Sequence, residues 1–153
     1  MKRALCLILC LTALTILPAC HATETPESPE TEEALMTIEV VIGDQVFPAT
    51  LLDNETTQAM LQWLPMTLDM SELNGNEKYH YFESGLPTDA RRPNGIQAGD
   101  LMLFGDRCIV LFYKSFSTSY SYTPLGKLDD PTGLAEALGR GDMQVTFRLP
   151  EEV

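Results

Sequence analysis

The stretch from Tyr113 to Thr123, YKSFSTSYSYT, is rich in groups able to hold a ligand. Ten of its eleven residues are aromatic or carry a hydroxyl, and Lys114 is its only full charge. Tyrosine rings offer faces on which a flat molecule stacks, and hydroxyls both donate and accept hydrogen bonds. Tyr113, Ser115, Ser117, Tyr120 and Tyr122 are therefore ligand-binding candidates. The same residue types also suit a strand–loop–strand link whose hydroxyls bond backbone groups. A second candidate group lies in Ser71 to Tyr79, where Glu72, Asn74, Asn76 and Tyr79 could point at a ligand from a loop at a barrel mouth. Asn74-Gly75 by itself specifies a turn. If both segments serve one ligand, they must lie side by side.

Catalytic chemistry finds less support. Glu72, Glu77 and Asp100 could supply an acid–base pair, but carboxylates are abundant throughout the chain. His80 falls in the middle of KYHYF, where a structural role is expected. There is no G-x-S-x-G elbow, and Gly139-Arg140-Gly141 reads as a helix stop and a turn rather than a phosphate loop. No residue is assigned a catalytic role. Two histidines and one cysteine outside the N-terminal twenty residues, without ligand spacing, argue against a zinc site, and no cofactor is expected.

The elements that would position these groups are mostly strands. Met36 to Ile42 alternates, Gly43-Asp44 is a Gly-first hairpin loop, and Phe47, Ala49 and Leu51 share a face of the run Gln45 to Leu52. Pro48 demands an edge or a bulge there. Asp53 or Asn54 caps a helix predicted over Glu55 to Leu64, stopped by Pro65. Met66 to Met70 is a brief strand, Ser71 to Glu77 a turn, and Lys78 to Phe82 a strand. Glu83 to Ala98 is a long loop. Asp100 to Phe104 and Arg107 to Tyr113 form a second hairpin around the same Gly-Asp pair. The latter strand is apolar on both faces, so both meet protein. Cys108 at its start reads as a small buried hydrophobe. Asp130-Pro131 opens a second helix that Gly139 ends. Met143 to Leu149 closes the chain as a strand with Met143, Val145, Phe147 and Leu149 inward. About eight short strands and two short helices predict a mainly β domain, a closed eight-stranded barrel with two short capping helices. Side chains nearly fill such a barrel, which sends any ligand to a mouth or an outer groove.

Ahead of these elements, Lys2 and Arg3 form a basic start, Ala4 to Ile16 is almost wholly apolar, and small residues follow. That order is a secretory signal. Its close, Leu17-Pro18-Ala19-Cys20, resembles the lipobox of a bacterial lipoprotein, although Pro18 stands where a small residue is usual. The resemblance implies a signal peptide over residues 1–19 and lipidation at Cys20. It also implies a lipid bilayer as partner and an extracytoplasmic position in the bacterial cell envelope. His21 after Cys20, rather than Asp, favours an outer membrane where there are two. An ordinary signal cut after Ala22 is the alternative. Residues 20–35 are acidic and rich in Pro and Thr, and read as a disordered tether before a domain over residues 36–150. The net charge is −12, and loss of Lys2 and Arg3 takes it to −14, a surface that repels nucleic acid. Cys108 is the only cysteine of the domain, so no disulfide forms within it.

The blocks LLDNETTQAMLQWLPMTLDMSELNGNEKYHYF, GIQAGDLMLFGDRCIVLFYKSFSTSYSYTPLGKLDD and GLAEALGRGDMQVTF resemble a bacterial cyclophilin-like domain family across nearly all of residues 36–149. The resemblance implies a closed eight-stranded barrel with two capping helices. It does not carry an activity, because fold alone does not imply function. Prolyl isomerases of this shape set an arginine beside the substrate proline, near a Phe-His-Arg stretch. Gln97-Ala98-Gly99-Asp100 resembles the Gln-Gly-Gly-Asp that follows that arginine. No Phe-His-Arg is present, however, and Arg91 and Arg92 lie closer to Gln97 than the family arginine would. The leading reading is a module that binds a small molecule or peptide without established catalysis. The alternatives are a peptidyl-prolyl isomerase or chaperone, and an accessory interaction module of a redox or envelope protein.

Overall fold

The structure is a computed structural model and describes residues 36–151. The expected signal peptide, Cys20 and the whole of the expected tether over residues 20–35 lie outside the described residues. Eight strands close into one antiparallel barrel: β1 (Met36–Ile42), β2 (Gln45–Leu51), β3 (Met66–Leu73), β4 (Glu77–Tyr81), β5 (Asp100–Phe104), β6 (Cys108–Phe112), β7 (Thr123–Leu128) and β8 (Met143–Arg148). Around the barrel the order is β1-β2-β7-β5-β6-β4-β3-β8, and β8 pairs back to β1. Two short helices, α1 (Glu55–Leu61) and α2 (Leu134–Leu138), complete the fold. The mainly β, closed architecture anticipated from the strand count is the one that forms.

Alternation builds the interior. Ile38, Val40 and Ile42 of β1 face Phe47, Ala49 and Leu51 of β2, and all six are buried. Only Gly43 of the connecting Gly-Asp pair has positive φ, at 57°, as a Gly-first loop requires. Pro48 precedes the short ladder of β2 with β7, which spans Ala49 to Leu51, so its missing N–H breaks no ladder bond. Its carbonyl still accepts from Asp129 N at 2.9 Å. Asn54 begins α1 through a reciprocal cap: its Oδ1 accepts from Thr57 N at 2.9 Å, and Thr57 Oγ1 accepts from Asn54 N at 3.2 Å.

Several boundaries differ from the sequence reading. Helix α1 ends at Leu61 rather than Leu64, because Gln62, Trp63 and Leu64 donate to carbonyls three residues back in a tighter turn. Ser71 to Leu73 belong to β3, and the turn shrinks to Asn74 and Gly75, both at positive φ, with Asn76. The second hairpin joins Phe104 to Cys108 across three residues, not two. Its extra carbonyls are used: Asp106 O accepts from Leu86 N and Arg107 O from Phe82 N, each at 2.8 Å. Asp130 does not cap α2. Its Oδ1 takes Thr132 N in a preceding turn, and α2 starts from Gly133. Leu149 falls beyond β8 and is exposed.

Strand β6 is buried along its whole length. Ile109 and Leu111 join the barrel core, while Cys108, Val110 and Phe112 point outward into a second cluster with Ile96, Met102 and Tyr122. Two loops cover that outer face. Ile96 and Phe116 exchange backbone bonds, as do Arg91 and Tyr122. The cover is partial, and beside it lies an open groove.

Candidate functional site

The floor of the groove follows from the period of two in a strand. In the β4–β6 register Glu77, Tyr79 and Tyr81 stand opposite Phe112, Val110 and Cys108, all on the outer face. Leu73 and Asn74 bound one side, Phe104 the other, and Phe116 to Tyr120 with Tyr122 form the overhanging wall. The groove encloses about 540 Å³, within the range of small-molecule sites. Its rings meet edge to face: Tyr79 and Tyr81 at 5.8 Å between centroids, Phe104 and Tyr120 at 5.8 Å. Tyr81 and Tyr120 are each about 60 % exposed despite this packing. The wall is held from beneath. Phe116 and Tyr122 both pack on Phe112 at 5.6 Å, and the Arg92 guanidinium donates to Ser119 O at 3.0 Å.

Two polar groups in the groove stand out. Glu77 is only 9 % exposed, yet its carboxylate has no hydrogen bond or ion pair among the described residues. Burial pushes its pKa above the ordinary value, and the nearby charge of Glu72 adds to the rise. Asn76 Oδ1 is buried and also without a partner. Burial likewise pushes the Cys108 thiol up, which disfavours the reactive thiolate. No lysine or arginine lines the groove.

The opposite face of the same strands is saturated. Glu72 pairs in register with Lys78, one step out of phase with Glu77, so both turn inward. Lys78 is wholly buried; its Nζ meets the Glu72 carboxylate and donates to Gly141 O at 2.6 Å and Gly139 O at 3.1 Å. Tyr113 hydroxyl and Gly75 N also donate to Glu72, at 2.9 and 2.7 Å. Burial works against ionisation of Glu72, but these bonds and the Lys78 charge outweigh it and hold its pKa below the ordinary value. Burial, the bond to Glu72 and the charges of Glu72 and Glu77 push Tyr113 up to about 12. A second depression of about 690 Å³ borders Glu72, Tyr113, Lys114 and Arg140. The Glu72 and Tyr113 groups there already have partners.

Of the nine binding candidates, Asn74, Asn76, Tyr79, Ser117, Tyr120 and Tyr122 come together in the outer groove. Glu72 and Tyr113 face inward to Lys78. Ser115 ties two loops, accepting from Ala98 N at 3.0 Å and donating to Gln97 Oε1 at 3.4 Å. The two segments therefore adjoin, but on the outer wall. The three carboxylates form no acid–base pair: Glu72 and Glu77 occupy opposite faces, and Asp100 accepts from Gln97 N. His80 Nδ1 lies 2.9 Å from Asp69 O, a structural bond. Tyr81, Phe104 and Phe116 were not foreseen as lining. Tyr81 was findable, since it shares parity with Tyr79, whereas Phe104 and Phe116 depend on which strands pair.

The solution structure of a hypothetical protein from Archaeoglobus fulgidus is similar to this chain, with a TM-score of 0.59 at 13 % identity, over 79 % of this chain and 99 % of that one. At that identity the likeness is one of fold. No curated protein matches the chain. The sequence model of the cyclophilin-like family matches residues 40–148, from the middle of β1 to the end of β8, and the chain belongs to that family.

Proposed function

We propose that this protein is a binding module whose outer groove takes a small molecule or a peptide, without bond-making chemistry of its own. The observation that carries the reading is the partly open aromatic groove with a buried, unpartnered acceptor, Asn76 Oδ1, and the largely buried Glu77 in its lining. Native proteins seldom leave a buried acceptor such as Asn76 Oδ1 unpaired, because it costs about 1–3 kcal/mol. The prolyl-isomerase alternative has less support. Arg92 is engaged by Ser119 O, and no arginine reaches the groove. A thermal-shift screen of the chain against metabolites and short peptides tests the reading. Stabilising ligands should lose their effect in Tyr120→Ala and Asn76→Ala while both variants keep near-native melting temperatures. Ligands that stabilise those variants as well as the parent would overturn it. So would turnover of a model prolyl peptide that Arg92→Ala abolishes.

The same proposal places the module in the bacterial cell envelope, on the extracytoplasmic side, held to the bilayer by acyl chains on Cys20. The basic start, apolar run and Leu17-Pro18-Ala19-Cys20 support it. Expression in a bacterium fed labelled palmitate should label the chain, and Cys20→Ala should abolish the label. An unlabelled parent chain recovered free of membranes would refute the anchor.

A further inference from the structure

Resting on the groove as a binding site, we propose that its ligand presents a primary ammonium group, recognised by the Glu77 carboxylate and Asn76 Oδ1 among the rings of Tyr79, Tyr81, Phe104 and Tyr120. The argument starts from contrast. Glu72, a few residues away, answers its own burial with an ammonium, a hydroxyl and a backbone N–H. Glu77 is at least as buried and has none of these among the described residues. A carboxylate that has lost most of its water and has no counter-charge is destabilised, and relief of that penalty on binding favours a cation. Asn76 Oδ1 makes a second demand, because an orphan acceptor needs a hydrogen-bond donor. A quaternary ammonium supplies charge but no N–H, and an alcohol supplies a donor but no charge. A protonated amine or a guanidinium supplies both, and of these the primary ammonium is the most compact and brings three N–H donors, enough for Glu77 and Asn76 together. The surrounding rings favour the same ligand, since a cation within about 6 Å of an aromatic face is attracted by its quadrupole. Tyr81 and Tyr120, more than half exposed, are free to close on the apolar part of the molecule that carries the amine. No lysine or arginine in the lining competes for Glu77, and the net charge of −12 draws cations towards the surface. A free amine and the lysine side chain of a peptide share this chemistry.

Calorimetric titration of the full chain near neutral pH with benzylamine, benzyltrimethylammonium, benzyl alcohol and benzoate tests the inference, with N-acetyl-lysine methylamide as a fifth arm. Benzylamine or the lysine derivative should bind, and the other three should bind roughly tenfold more weakly or not at all. The tighter of the two amines identifies the source. Glu77→Gln should weaken amine binding roughly ten- to a hundredfold, the size of a lost charged hydrogen bond. Melting curves establish that the variant is folded, and Asn76→Leu serves in its place if it is not. Equal binding of benzyl alcohol or benzoate, or unchanged affinity in Glu77→Gln, overturns the ammonium assignment but leaves the groove in place. Absence of binding by either amine does the same if a screened ligand of another kind is displaced by Ser117→Trp at the rim. A screened ligand indifferent to Ser117→Trp, Tyr120→Ala and Asn76→Ala removes the groove itself.

Discussion

Glu72 and Glu77 are five residues apart and titrate in opposite directions, because one step of strand parity sends them to opposite faces. The pKa of Glu72 is lowered, so its contribution to stability is present above the ordinary value of 4.5 and is lost as pH falls through its folded value. The pKa of Glu77 is raised, so its contribution is present below 4.5 and is lost as pH rises through its folded value. Glu77 stands opposite Phe112 in the β4–β6 register, and Glu72 is close enough to act on it through its charge. The charge of Glu77 in turn reaches Cys108, Tyr113 and Tyr122, and no lysine or arginine is in the groove lining. Glu77→Gln should therefore raise the melting temperature at neutral pH and leave it nearly unchanged at pH 3, below both the ordinary value of 4.5 and the raised folded value of Glu77, where Glu77 is protonated in either state. Equal melting curves at neutral pH would mean that Glu77 has a partner in solution. The inward pair predicts a different asymmetry. Glu72→Ala leaves the Lys78 ammonium buried with only carbonyls and should cost about 3–5 kcal/mol. Lys78→Met should cost less, since Glu72 keeps Tyr113, Gly75 N and some solvent. Denaturant unfolding of both variants decides the order, and a costlier Lys78→Met would contradict it.

Among the elements, β2 and β7 approach too closely at Gly126 to admit a side chain. A Cβ on Gly126 would stand 2.3 Å from Thr50 O and 2.8 Å from Leu51 Cα, both backbone atoms that cannot swing aside. Gly126→Ala should destabilise the barrel by about 1–3 kcal/mol or more, by forcing the two strands apart. Gly43→Ala, with open space around it, should cost only its backbone strain. Denaturation midpoints that rank the two the other way would show the β2–β7 seam to be loose. Such a seam was not legible from Gly126 in the sequence. The strands themselves were, because alternation in β1 and β2 is strict enough to name their buried residues, and in β8 it names Val145 and Phe147, although not the exposed Leu149. Strand β6 was recognised as covered on both faces, but its apolar run could not say by what. The answer, loop residues Ile96, Phe116 and Tyr122, depends on contacts far apart in sequence. The site split for the same reason. Asn76 and Tyr79 were nominated with Glu72 as one loop. The pairing of β4 with β3 and β6 fixes which of them face outward, and a one-residue change in register reverses a side chain's face.

Closure of the whole sheet is what sends the proposed binding site to the outside. A sealed barrel has no free edge to pair with another chain, and its interior is filled by Ile38, Val40, Leu101, Leu111, Phe147 and their neighbours. The second, smaller cluster on the outer face of β5 and β6 then has two duties: it anchors the loops, and it supports the floor of the groove. Charge is likewise a property of the whole chain. Residues 36–151 carry sixteen of the 22 acidic side chains but eight of the ten basic ones, so the folded domain repels itself and attracts cations at once. Salt separates these two effects. The screening length falls from about 30 Å at 0.01 M to about 8 Å at 0.15 M. Over that range the melting temperature should rise as self-repulsion weakens, while benzylamine affinity should fall as the attracting field is screened. A melting temperature that falls with salt would mean that the close pairs, Arg148 with Glu39 and Lys78 with Glu72, govern the electrostatics of the fold. An affinity indifferent to salt would mean that the amine is held by the groove's buried groups alone, with no help from the surface.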